Sequence, residues 1–152
     1  MFDKPNHNVI ISAADLARGQ RFGDIQWDSH GKTLAWLQKK GADAVIVVRE
    51  FDTNKYLYSQ IPCGGAGVNY GGGDFTIAHR QVLTVCDNEL WSTGLLDGER
   101  VLVAESDGMI ASPTVSSDGR YVAYVVSGRD TDEIVVSQLI GSGASVVVSN
   151  DY

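Results

Sequence analysis

Two stretches of this chain carry the same pattern 88 positions apart, and that repeat limits the folds open to it. Ser112-Pro-Thr-Val-Ser-Ser-Asp-Gly-Arg-Tyr-Val-Ala-Tyr124 matches Asp24-Ile-Gln-Trp-Asp-Ser-His-Gly-Lys-Thr-Leu-Ala-Trp36. Each copy has a strand-like run, a polar turn ending in Gly31 or Gly119, a basic residue (Lys32 or Arg120) and an apolar strand. The spacing is twice a unit of about 40–45 residues, the length of one four-stranded propeller blade. A blade cannot bury both of its faces alone, so the repeat implies stacked sheets within a larger ring.

The rest of the chain fits this frame. From Phe22 onward, short β-rich runs alternate with clusters of Gly, Asp, Asn and Ser, the signature of an all-β protein. The first unit offers strands near Gly23–Trp27, Thr33–Gln38, Asp43–Arg49 and Tyr56–Ile61, and the third near Ile110–Val115, Tyr121–Ser127, Glu133–Leu139 and Ala144–Val148. The middle unit runs through Asp74–Ala78, Gln81–Cys86, Glu89–Ser92 and Arg100–Ala104, with His79-Arg80 replacing the Asp-Gly turn. The expected organisation is a lead-in over residues 1–21, with a short helix capped by Ser12 and ended by Gly19, then a partial propeller over 22–152. Its three consecutive four-stranded antiparallel blades span about 22–62, 63–106 and 107–150. The runs Ala44–Val48 and Tyr121–Val126 are apolar at consecutive positions, which predicts sheets covered on both faces. Trp27, Trp36, Trp91, Tyr121 and Tyr124 are expected in the core between blades.

Seventeen glycines against three prolines indicate tight turns rather than disorder. The net charge of −7 and scattered basic residues argue against nucleic-acid binding. No apolar run is long enough to span a membrane, and the first residues lack the features of a signal peptide, so a cytoplasmic location is expected. A disulfide between Cys63 and Cys86 is open on count alone, but reduced thiols are expected without an export signal.

Ser112-Pro113, Ser116-Ser117-Asp118-Gly119-Arg120 and Ala123-Tyr124 resemble the propeller repeat of the TolB proteins and of the prolyl-oligopeptidase family of serine peptidases. Tyr70-Gly71-Gly72-Gly73-Asp74-Phe75 resembles the His-Glu-Tyr-Gly-Gly-Gly segment of acylaminoacyl-peptidase-like members, in the matching order along the chain. Val68-Asn69 stands where those members have His-Glu, so the role of that acid does not carry over. The resemblance implies the non-catalytic propeller of a serine peptidase, covering an active site and admitting short peptides. Its partners would be the remaining blades and a C-terminal α/β-hydrolase domain. The alternative is a TolB-like propeller acting as a protein-interaction module.

No serine sits in a Gly-x-Ser-x-Gly nucleophile elbow, and His7, His30 and His79 are the only candidate bases, so no catalytic residue is assigned. The glycines Gly64, Gly65, Gly67 and Gly71–Gly73 lack the spacings of a phosphate cradle or dinucleotide site. They fit a close approach of backbone at the innermost strand. Asn69, Tyr70, Gly71, Gly72, Gly73 and Asp74 are the candidate substrate-facing residues. Asp130, Asp132 and Glu133 lack calcium-loop spacing and the cysteines lack metal-site spacing, so neither metal nor cofactor is expected. Three blades form an open arc whose end faces require a cover, either the missing blades or a second copy of the chain.

Overall fold

Local turn chemistry sets the topology. The computed structural model describes residues 19–40, 43–53, 55–63, 73–139 and 145–149. The predicted helix near Ser12 lies outside them. The first blade comprises β1 (Gln20–Trp27), β2 (Thr33–Lys40), β3 (Asp43–Glu50) and β4 (Lys55–Pro62). The second comprises β5 (Phe75–Ala78), β6 (Gln81–Cys86), β7 (Glu89–Gly94) and β8 (Arg100–Glu105). The third comprises β9 (Met109–Val115), β10 (Tyr121–Ser127), β11 (Asp132–Gln138) and β12 (Val146–Ser149). In each blade every strand pairs antiparallel with its neighbour in sequence. The sheets are therefore simple meanders, and the all-β, three-blade reading of the sequence holds.

The copies 88 residues apart fold alike. In the first blade Gly31 N–H donates to the Asp28 carbonyl and Asp28 N–H to that of Thr33, both at 2.8 Å. In the third, Gly119 N–H donates to Ser116 and Ser116 N–H to Tyr121, both at 2.9 Å. Gly31 and Gly119 have φ of 67° and 72°, a left-handed backbone that costs glycine nothing. Trp36 pairs with Val47 and Tyr124 with Val135, again 88 positions apart. The middle blade closes the same hairpin in two residues, His79 and Arg80, whose φ of 49° and 61° match the primed turns that follow strand twist.

The core lies in two seams between blades. One joins Leu37, Ile46 and Val48 of the first blade to Phe75, Ile77 and Val82 of the second. The other joins Leu83, Val85 and Leu90 of the second blade to Ile110, Val122 and Tyr124 of the third. Strand β6 serves both because successive side chains point to opposite faces: Val82 enters the first seam, Leu83 and Val85 the second. Only the middle blade has a described neighbour on each side.

Equivalent positions therefore differ sharply in burial. Ile46 is 0% exposed, whereas Ile134 at the matching site of the third blade is 46% exposed. Pro113 is buried, and its first-blade counterpart Ile25 is 68% exposed. The run Tyr121–Val126 departs from the expectation of cover on both faces. Val122 and Tyr124 are buried and Val126 packs against the same seam, but on the other face Ala123 and Val125 are half-buried and Tyr121 is exposed, because that face meets no blade among the described residues. The aromatic expectation holds for Tyr124 alone. Trp27 is exposed beside Phe51, Trp36 lies on the open side of the first blade near Tyr56, Trp91 lies beneath Arg100, and Tyr121 borders Arg120. For each, no sheet among the described residues faces the ring, or the ring packs within its own blade.

Truncation at these matched sites isolates the effect of the neighbour. Ile46→Ala is expected to cost about 2–5 kcal/mol in urea unfolding, as for cavity formation in a packed core. Ile134→Ala, the same chemistry in the same backbone setting, is expected to cost less than about 1 kcal/mol.

Candidate functional site

The innermost strands β1, β5 and β9 stand side by side and are stitched by polar contacts. Gln26 Nε2 donates to the Phe75 carbonyl at 3.0 Å, joining β1 to β5. The Ser112 N–H donates to the Gly73 carbonyl at 2.9 Å, joining β9 to the lead-in of β5. Asp24 (φ 47°) and Ser112 (φ 53°) occupy matching positions beside the bulges of β1 and β9. Each non-glycine residue held there costs of order 1 kcal/mol, and the bulge re-aims the strand. Neither bulge was legible in the sequence, since Asp and Ser occur widely in ordinary turns.

Gly73 has φ 101°, and a Cβ on it would lie 2.6 Å from Ser112 Oγ. A side chain at this position would displace the third blade's inner strand, so here glycine serves close backbone approach. Asp74 is buried, and its carboxylate lies 3.5 Å from Lys39 Nζ on β2. Its carbonyl accepts from Val85 N–H at 2.9 Å and from Cys63 Sγ at 3.3 Å. Of the candidate substrate-facing set, the structure thus brings Gly73 and Asp74 to the seam beside the inner strands. Asn69, Tyr70, Gly71 and Gly72 lie outside the described residues.

The three inner hairpins form a continuous row at one rim. His79 N–H donates to Ser29 Oγ at 3.1 Å, and the His79 and His30 rings meet edge to face with centroids 6.0 Å apart. On its other side the His79 ring covers Gly119, where a Cβ would come within 3.0 Å of it. The histidine that displaced the repeat's Asp-Gly is therefore the link between the outer two turns. Sequence reasoning placed His79 at a turn but gave no sign of this bridging role.

Each outer turn fixes its own acid. Asp28 is buried, accepts from Ser29 Oγ at 3.3 Å and lies 3.5 Å from His30 Nδ1. Asp118 accepts from Ser116 Oγ at 2.7 Å, from the Arg120 N–H at 3.1 Å and from Arg120 Nε at 2.6 Å. The Ser116 hydroxyl, then the Arg120 backbone and side chain, hold the Asp118 carboxyl well below the usual carboxylate range. The rim thus presents ordered donors and acceptors. Elsewhere, a groove of about 310 Å³ between the outer strands of the second and third blades is edged by Asp97, Glu99 and Leu139.

Known proteins with this fold can be compared now that its geometry is in view. No family profile and no curated protein matches the sequence. Among solved structures, TolB from Acinetobacter baumannii superposes with a TM-score of 0.65 at 13% identity, over 86% of this chain and 32% of that one. A putative TolB from Agrobacterium tumefaciens gives 0.61 at 13% identity, over 82% of this chain and 47% of that one. The tricorn protease gives 0.55 at 16% identity, over 78% of this chain and 12% of that one. This chain spans less than half the length of each of these structures.

Two measurements probe the site. Gly31→Ala introduces left-handed strain alone, because nothing lies within 4 Å of its Cβ, and is expected to cost about 1 kcal/mol. Gly119→Ala adds the clash with His79 and is expected to cost roughly 1 kcal/mol more, an excess that disappears in a His79→Ala background in a double-mutant cycle. The second measurement uses Cys63, whose thiol is pushed up to about 12, first by burial and then by the nearby Asp74 carboxylate. The native state keeps this proton while the unfolded chain loses it near pH 8.5. The resulting stability is complete below that pH and is lost as pH rises towards 12. Cys63→Ala is expected to reduce the fall in Tm between pH 8.5 and pH 11 relative to the parent chain. The three-blade arc, with its inner strands and aligned hairpin rim, is a TolB-like β-propeller fold.

Proposed function

We propose that this chain supplies the non-catalytic propeller portion of a serine peptidase of the prolyl-oligopeptidase and acylaminoacyl-peptidase type, where it covers the active site and restricts access to short peptides. The observation that carries the reading is the row of hairpins Ser29–His30, His79–Arg80 and Ser116–Arg120, which lines one rim beside the inner strands with polar groups held in place. Such a rim can hold an extended backbone by hydrogen bonds without performing chemistry on it. The absent nucleophile elbow, the Tyr70–Phe75 segment and the likeness in fold to the tricorn protease support the same reading. Cytoplasmic location and association with further blades and a hydrolase domain belong to this proposal.

A second reading, a TolB-like module that binds folded proteins, is favoured by the greater structural likeness to the two TolB chains. The two differ in what the rim recognises. Titrating short acylated peptides into the labelled chain and following backbone amide signals is expected to shift Ser29, His79 and Ser116, with no turnover of the peptide. A serine-directed fluorophosphonate is expected to leave every serine unlabelled, and stoichiometric labelling would overturn the non-catalytic assignment. Response to a folded partner but to no peptide would favour the second reading. In the parent protein, further blades followed by Gly-x-Ser-x-Gly would support the first.

A further inference from the structure

The seam between the first two blades holds both thiols of the chain. Cys63 follows β4 and is buried in that seam with Phe75 and Val82. Cys86 ends β6 and, by strand alternation, shares a face with Val82, the side turned towards the first blade. Cys63 Sγ lies 3.8 Å from the Val85 carbonyl, and Cys86 Sγ lies 4.0 Å from the Pro62 carbonyl. Each sulfur therefore reaches the residue immediately before the other cysteine. Both thiols are free, and Cys86 is half-buried with Arg100 Nη2 3.4 Å from its sulfur.

We propose that Cys63 and Cys86 form a dithiol site that reacts with small disulfides and closes into a bond clamping the first blade to the second. The inference does not depend on the reading of the rim as a peptide site. Cys86, the more accessible sulfur, attacks as its thiolate. A bond forms between Cys86 Sγ and one sulfur of the reagent, the reagent's S–S bond breaks, and its other half leaves as a thiolate beside the Arg100 cation. Cys63 then gives up its proton, and its thiolate attacks Cys86 Sγ. The protein disulfide forms as the second reagent thiolate leaves. The two protein thiols together lose two electrons and two protons, and the reagent is reduced to two thiols.

The second step is the slow one, because burial and the Asp74 carboxylate keep Cys63 protonated. Closure also removes the 3.3 Å contact from Cys63 Sγ to the Asp74 carbonyl. The glycine-rich sequence from Gly64 to Gly72 joins Cys63 to Gly73, so the bond would anchor one end of the candidate substrate-facing segment.

The test is to incubate the native chain with oxidised glutathione at pH 8 and follow intact mass, peptide mapping and thermal melting. The expected product is monomeric, lighter by about 2 Da, and yields a single Cys63–Cys86 cross-linked peptide. Its Tm should be higher by about 10 °C, and reduction should reverse the shift. In Cys63→Ser the reaction should stop at a mixed disulfide on Cys86. Because Cys63→Ser alters a buried position, Cys86→Ser provides the second arm and should leave Tm insensitive to oxidant. A mixed disulfide that persists on Cys86 of the parent chain, a disulfide linking two chains, or two thiols still open to alkylation after prolonged exposure would each overturn the proposal.

Discussion

The middle blade buries both faces of its four-stranded sheet, and the rest of the structure is arranged around that burial. A sheet twists and alternates its side chains, so a strand such as β6 sends Val82 one way and Leu83 the other, and both are fully buried. No layer within the blade covers them. Cover comes from the next blade, at about 25 cal/mol for each Å² of apolar surface removed from water. The meander topology, the inner-strand contacts and the rim of hairpins all follow from this sideways stacking. Backbone hydrogen bonds hold each blade together, while apolar packing and a few polar stitches hold blade to blade.

Much of this was legible in the sequence, because the turn residues recur at a fixed spacing. Asp28–Gly31 and Ser116–Gly119 announced equivalent hairpins, and β6 and β10 were placed at their observed limits. The misreadings have a common cause. Consecutive apolar residues from Tyr121 to Val126 indicate a strand suited to two neighbours, but not whether a neighbour is present. The same limit explains why Trp27 and Trp36 read as core. Periodicity reports the face on which a side chain lies, and burial is decided by what stands opposite.

The candidate site was less legible, because its parts are long-range and local patterns do not encode them. Gly73 stood out as glycine, yet the partner that requires it, Ser112, lies in the next blade. His79 looked like a loss of the repeat's Asp-Gly, but its ring spans the gap between His30 and Gly119. The pairing of Asp74 with Lys39 across the first seam likewise joins residues far apart in sequence. A departure from a repeat marks a place where neighbouring units must be joined, and the identity of the joint emerges only when the units are side by side.

The meander has a consequence for how the chain reaches this state. Strand partners in each blade are consecutive, so loops closed within a blade are short and cheap in entropy. The middle blade closes two hairpins in two residues each, His79-Arg80 and Asp87-Asn88, and among the described residues it alone has a blade against each face. In a stacked array each unit contacts only its neighbours, so a folded middle blade offers a seam to the outer blade on either side.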